Sequence, residues 1–351
     1  MRRTLTLMIV TLLFAGAARA QVPAAGAGER AEAERLNAEV LRLYRAGQYD
    51  EALPLARRVL EIREKAAAGG EDMAVASALN NLAAIHARKG KSEEAERFLR
   101  RSLAIAEKRV GAESEFASDV VAQIGVLKLD RKEYEAAGPL LMRALRAKEK
   151  LHGADAADVV PVLLNLTDLY FLRREPEGAL GFLGRAVSTI RRLPPRKDAA
   201  AAARLKNYYC ALMAAGAGAD RELRNALDRA IWRLEEPEKA ARQDAERKER
   251  EARGEEEKKI VEGEVLNGRV VSKPQPDYPP LAKSARASGV VVVEILVDES
   301  GKVVEARALC GHPLLATASV EAARKARFTP TLLAGRPVKV SGVITYNFVL
   351  Q

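Results

Sequence analysis

Leu79 to Lys108 reads LNNLAAIHARKGKSEEAERFLRRSLAIAEK, two apolar-periodic stretches either side of Lys89-Gly90-Lys91. Apolar side chains recur at three- and four-residue steps in both stretches, which is the spacing of amphipathic helices. A short turn between them makes a helical hairpin, and one hairpin cannot bury its own apolar face. The pattern returns along the chain. Ala52, Ala95, Ala137 and Ala179 are 43, 42 and 42 residues apart. Three residues after each stands Leu55, Phe98, Leu140 or Phe182, and eight after each stands Leu60, Leu103, Leu145 or Val187. First helices precede them at Leu36–Tyr44, Leu79–His86, Val121–Leu129 and Leu163–Phe171. Gly47 and Gly90 occupy the first two turns, where Lys132 and Arg174 stand later. Gly111 and Gly153 mark the loops between units.

A period of this length means stacked units, with small alanines where helices cross and larger apolar residues filling the gaps. The series resembles the tetratricopeptide repeat, in the longer-period form of kinesin light chains. That resemblance implies an all-α superhelical solenoid over residues 35–234. A fifth, degenerate unit follows at Leu205-Lys206-Asn207-Tyr208, interrupted by Gly216 and Gly218, and the Glu222–Leu234 helix caps the stack. One polar series shares the period: Asn81, Gln123, Asn165 and Asn207 fall 42 residues apart. In the repeat family this position faces the concave groove, where an amide can bond a peptide backbone as donor and acceptor. The competing reading is that these amides satisfy helix ends or bond one another.

Residues 235–264 lose the apolar period and become almost wholly charged. Glu238/Arg242, Glu246/Arg250, Glu249/Arg253 and Glu255/Lys259 are acid-before-base pairs at i,i+4, which suits a solvated helical spacer. A partner-binding coiled coil is the alternative, but no heptad seam accompanies the charges.

Beyond Gly268 the texture changes to strands. Val290–Val297 is a β-branched run, Asp298-Glu299-Ser300-Gly301 a turn, and Val303–Leu309 an antiparallel return. Pro313–Ala326 is helical and Val338–Leu350 alternates, giving the order short helix, strand, strand, helix, strand. The run PDYPPLAKSARASGVVVVEILVDESGKV, then GHPLL, RFTP, GRPV and FVL, resembles the TonB C-terminal domain family over residues 268–351. Tyr278 and Pro279 match its Tyr-Pro, Gly289 opens the first strand, and Phe328 with Pro330 match its aromatic-and-proline element. Gly301 serves the hairpin turn, and Gly335 with Pro337 matches the last turn. The Trp that often precedes the aromatic element is replaced by Ala326-Arg327. The resemblance implies a small α+β domain over residues 265–351, whose exposed sheet edge receives an extended segment of an outer-membrane receptor. No later strand covers the final one, so Val338, Lys339, Val340, Ser341, Val343, Thr345 and Asn347 are the expected edge. A second copy of the chain competes for it, as a homodimer.

The rest of the sequence narrows the function. Among 351 residues, 58 Lys and Arg against 48 Asp and Glu leave a net charge of +10. The excess is spread along the chain without a basic stripe, and aromatics are 5%, so no nucleic-acid partner is expected. No nucleotide-binding, zinc-protease, CxxC or serine-hydrolase motif is present. Neither an enzyme nor a cofactor nor a metal site is expected. His86 reads as a packed core residue, while His152 and His312 suit helix ends. Cys210 and Cys310 are expected as two buried thiols; a bridge would need Cα atoms within about 7 Å.

Arg2 and Arg3, an apolar run from Leu5 to Phe14, and Ala18-Arg19-Ala20 have the layout of a signal peptide over residues 1–20. Cleavage is expected between Ala20 and Gln21, with a flexible lead-in over 21–34 and a periplasmic product. The alternative is a retained inner-membrane anchor. The expectation is an exported adaptor that binds envelope or outer-membrane proteins through extended peptide segments. The alternative is an anchored component of TonB-family transport, touching membrane only if the leader is kept.

Overall fold

The computed structural model describes residues 27–68, 71–214, 221–253, 261–262, 269–333 and 335–350. The chain divides into two compact units, Met1–Leu193 and Pro194–Gln351. The leader, its cleavage site, and Gly216 and Gly218 lie outside the described residues.

Among the described residues, the first unit is four helical hairpins: α1 (Ala27–Arg45) with α2 (Tyr49–Ala66), α3 (Met73–Arg88) with α4 (Ser92–Val110), α5 (Glu115–Asp130) with α6 (Tyr134–His152), and α7 (Val160–Leu172) with α8 (Pro176–Arg192). The crossing alanines Ala52, Ala95, Ala137 and Ala179 are all fully buried. Four residues on, Ala56, Leu99, Leu141 and Leu183 are buried as well, deeper than the half-buried Leu55, Phe98, Leu140 and Phe182 beside them. Helix α1 starts at Ala27, inside the segment read as a flexible lead-in, because Ala33 and Leu36 pack with Val59, Ile62 and Ala78.

Each hairpin turns in the same way. Gly47, Gly90, Lys132 and Arg174 all adopt positive φ, at 76°, 74°, 62° and 63°. In each turn the next residue's N–H returns to a carbonyl five positions back, as in Gln48 to Leu43, Lys91 to His86, Glu133 to Lys128 and Glu175 to Tyr170. This closes the exposed helix end in a Schellman arrangement. Between consecutive units the period carries ion pairs: Arg101–Glu64, Arg143–Glu107 and Arg185–Glu149, each at 2.5 Å. Exposed pairs of this kind contribute little individually, so the stack rests on its apolar contacts.

The second unit holds α9 (Ala199–Ala214), α10 (Arg221–Glu235), α11 (Pro237–Ala252) and all the strands among the described residues. The expected boundary near residue 234 is thus replaced by one at Leu193/Pro194. Helix α9 packs against a strand of the sheet, and α11 docks on α10 through the buried Ala240 and an Arg233–Asp244 ion pair at 2.9 Å. Within the charged segment Pro237–Ala252 is helical and is held against its neighbour, while Glu255 and Lys259 lie outside the described residues.

The sheet contains β1 (Val261–Glu262), β3 (Gly289–Val297), β4 (Val303–Cys310) and β8 (Val340–Phe348), in the order β1-β8-β3-β4. Short pairs join β2 (Val270–Ser272) to β5 (Arg327–Phe328), and β6 (Leu332–Leu333) to β7 (Arg336–Pro337). Strand β3 pairs antiparallel with both β4 and β8. Helices α12 (Pro280–Ser284) and α13 (Pro313–Arg324) complete the small domain. Val291, Val293, Ile295 and Val297 alternate into one core with Ile344, Tyr346, Phe348, Leu315 and Phe328. The expected order of helix, two strands, helix and strand is present, with β1, β2 and β5 to β7 added.

Candidate functional site

The family-motif residues set the geometry of the small domain. Tyr278 donates from its hydroxyl to the Ala287 carbonyl, and its ring meets Phe348 edge-on at 5.3 Å. Pro279 caps α12, and Gly289 starts β3. Gly301 has φ +85°, and a Cβ there would lie 1.9 Å from the Phe328 carbonyl oxygen, so only glycine fits. Phe328 is buried, whereas Pro330 and Pro337 are exposed, with Gly335 at φ +78° in the β6–β7 turn. Ala326, where the family often has Trp nearby, is fully buried.

The expected edge is shorter than its sequence. Val338 and Lys339 precede the strand, and the Val338 N–H is taken by the Thr331 carbonyl. Val340 and Ser341 pair in parallel with Val261 and Glu262. A strand earlier in the chain therefore covers the start of the expected edge. Lys273 donates to the Thr345 carbonyl at 2.9 Å and lies over the Tyr346 ring. Successive residues of a strand turn their peptide groups to opposite sides, so Val343 and Asn347 share the row that Thr345 presents to Lys273. Thr345 and Asn347 side chains are exposed and Val343 is half-buried.

The amide series is only partly brought together. Asn81 is buried and donates from Nδ2 to Asn37 Oδ1 at 2.9 Å, so here amides bond one another across two hairpins. Gln123 is buried on α5, Asn165 half-buried on α7, and Asn207 exposed on α9 in the second unit. Asn37 escaped the sequence reading because it lies 44 residues before Asn81, off the 42-residue series. His86 is the packed core residue expected, against the Phe98 ring at 5.2 Å, and burial lowers its pKa.

Two further clusters carry charge into buried positions. In the first unit Lys148 bonds Asp119 at 2.6 Å with both side chains almost fully buried, and burial pushes the Asp119 carboxyl up despite that lysine. In the second unit Arg307 faces Asp228, Glu294 and Glu235. Burial and the neighbouring Glu294 push the Asp228 carboxyl up, because one guanidinium serves two buried carboxylates. Burial opposes the Arg307 charge, but Asp228 and Glu294 outweigh it and raise its pKa. A signal was available: Glu294 interrupts a β-branched run, and Arg307 is its direct cross-strand partner.

Cys210 and Cys310 form a disulfide, with Cα atoms 5.6 Å apart, and no free cysteine remains. The expectation of two thiols fails because α9 belongs with the sheet and brings Cys210 to the end of β4. Among the described residues no helix is long and apolar enough to cross a membrane.

Residues 29–108 match the tetratricopeptide repeat family, and residues 274–350 match the family described as Gram-negative bacterial TonB protein C-terminal. The chain thus combines tetratricopeptide-type hairpins with a segment that matches the TonB C-terminal module. No curated protein matches the chain. Among solved structures, a Podosopora anserina putative kinesin light chain with nearly identical TPR-like repeats is 17% identical. The likeness covers 64% of this chain and all of that one, with a TM-score of 0.46. BtubC (BKLC) from P. vanneervenii is 17% identical over 69% of this chain and 96% of that one, with a TM-score of 0.43. Pseudomonas aeruginosa pilF is 18% identical over 65% and 95%, with a TM-score of 0.38.

Proposed function

We propose that this chain is a non-enzymatic adaptor of the Gram-negative periplasm, with its helical hairpins holding one protein and its TonB-type module docking another by strand addition. The observation that carries the reading is the outer row of β8. Val343, Thr345 and Asn347 lie beyond the two residues that β1 pairs, and among the described residues no strand pairs with them on the side away from β3. A row of backbone N–H and C=O groups without a strand partner is a template for an extended segment, and here the Thr345 carbonyl is met by the Lys273 side chain. The Cys210–Cys310 bridge supports export, since disulfides persist in oxidising compartments. The leader-like residues 1–20 support the same location.

The test is site-specific photo-crosslinking from position 347 in intact cells, with position 321 on the exposed face of α13 as control. Crosslinks to envelope proteins from position 347 alone are expected. Equal capture from both positions would sink the docking assignment. The TonB match favours a second reading, an anchored transport component, and intact mass separates the two. A mature chain starting at Gln21 supports the adaptor, and a chain retaining Met1–Ala20 in the membrane fraction supports the anchored component.

A further inference from the structure

Where the third hairpin passes into the fourth, the chain departs from its own period. One period before Glu115, His152 and Asp158 stand Met73, Val110 and Phe116, and one period later stand Ala157, Pro194 and Ala200. Three ligand-type side chains thus replace apolar or small residues at one junction only.

The fold gathers the three. Glu115 is the first residue of α5 and His152 the last of α6. Gly153, at φ +93°, turns the chain so that a 3-10 turn at Ala157–Val159 carries Asp158 back towards them. His152 Nε2 lies 3.0 Å from Glu115 Oε2, and one donor atom from each of the three residues lies within 4.8 Å of the others. Beneath them, one helical turn further in, lies the Lys148–Asp119 pair. Lys148 is 2.6 Å from Asp119 but 3.9 Å from Glu115, so its charge is committed to the deeper carboxylate. Asp119 is 6% exposed, and its second oxygen, Oδ2, has no hydrogen-bond partner among the described residues. Asp158 has no ion-pair partner among them either. Three carboxylates therefore face one lysine, and the excess charge is negative.

We propose that Glu115, His152 and Asp158 form a site for a divalent transition-metal cation of the zinc class, bracing the junction between the third and fourth hairpins. One imidazole and two carboxylates are a three-ligand set that leaves a fourth position for water, as zinc accepts. The imidazole argues against calcium or magnesium, which take oxygen donors. Separations of 3.0 to 4.8 Å need only small rotations of accessible side chains to surround a cation at about 2.0–2.2 Å from each donor. His152 was read from sequence as a helix-end residue. Its position at the end of α6 is also what brings it over Glu115.

The test uses the full chain, stripped with chelator and titrated with zinc chloride by calorimetry. One zinc per chain is expected, with a rise in the thermal midpoint and no comparable response to magnesium or calcium chloride. His152→Ala and Asp158→Asn should each weaken binding by more than about 10-fold. Both positions are exposed, so the variants should keep the parent circular dichroism, and His312→Ala should bind as the parent does. Zinc binding unchanged in His152→Ala, or lost equally in His312→Ala, would overturn the site. So would magnesium or calcium binding as tightly as zinc.

Discussion

Cys210 in α9 is bonded to Cys310, the last residue of β4, closing a loop of 100 residues within the second unit. The bond fixes a helix with repeat-like register to the sheet of the TonB-type module. Cross-linking a loop of that length restricts the unfolded chain, and removing such a bridge costs about 2–5 kcal/mol. Reduction, or Cys310→Ser, should therefore lower the denaturation midpoint of the second unit. The single tryptophan, Trp232 on α10, reports that transition by fluorescence. Alkylation of both cysteines in the native, unreduced chain would contradict the bond.

The Asp228 carboxyl gives the second unit a pH dependence of defined sign. Its ordinary value is near 4, and in the fold burial, together with Glu294, pushes it up to about 8. Between those values the unfolded chain has lost this proton while the folded chain keeps it. The unfolded state then binds fewer protons, so stability falls as pH rises from about 4 to about 8. Asp228→Asn should flatten that slope when Trp232 fluorescence is followed in urea at pH 5 and pH 8. An unchanged slope would show that another group carries it.

Lys132 and Arg174 hold a backbone conformation that Gly47 and Gly90 hold without a side chain. A left-handed residue with a Cβ costs roughly 1–2 kcal/mol, partly offset because glycine loses more freedom on folding. Lys132→Gly and Arg174→Gly should each stabilise the first unit by about 0.5–1 kcal/mol, and Gly90→Ala should destabilise it by a similar amount. Thermal melts followed by circular dichroism at 222 nm decide this. A lower midpoint for Lys132→Gly would mean that the lysine side chain contributes more than the turn costs.

The helices were legible because the sequence states the same hairpin four times, so each offset is checked by three others. The core of the small domain was legible in part: alternation in Val340–Phe348 marks which side chains enter it, whereas the β-branched run Val290–Val297 marks a strand without saying which of its faces is buried. What escaped has no local signature. Strand β1 is two residues long, and its partner lies 79 residues away. The Cys210–Cys310 bond depends on where α9 docks, and α9 carries a repeat-like pattern although it packs on β4. At the candidate edge, Val338 and Lys339 fall before the strand, and the contacts made there by β1 and Lys273 had no signal in the sequence.

Asn81 tests whether the amide series is structural or binds a partner. Its Nδ2 supplies Asn37 Oδ1 in a buried contact between hairpins. Asn81→Ala would leave the Asn37 oxygen without that donor, at a cost of about 1–3 kcal/mol. Gln123→Ala and Asn165→Ala provide the comparison. A stability loss confined to Asn81→Ala, with partner capture reduced by the other two, is the expected division. Equal stability losses in all three would assign the whole series to holding helices together.

Strand β8 offers the sharpest test of docking, because the chain itself occupies part of the proposed edge. Val261 and Glu262 pair with Val340 and Ser341, so a partner strand running the full length of β8 must displace β1. Further along, Thr345 presents its peptide group to Lys273 rather than to β3. Proline is tolerated where the missing N–H points off the sheet, so Thr345→Pro should keep the fold while removing one donor from the outer row. Partner binding and self-association should both fall, by about 5-fold or more for one lost hydrogen bond with added obstruction. Val261→Pro should act in the opposite direction, weakening the β1 pairing and tightening partner capture. Circular dichroism establishes that both variants fold, and analytical ultracentrifugation separates self-association from partner binding. If folded Thr345→Pro binds its partner and itself as the parent does, strand addition along β8 is wrong. If Val261→Pro weakens binding instead, β1 is part of the docking surface and not its competitor.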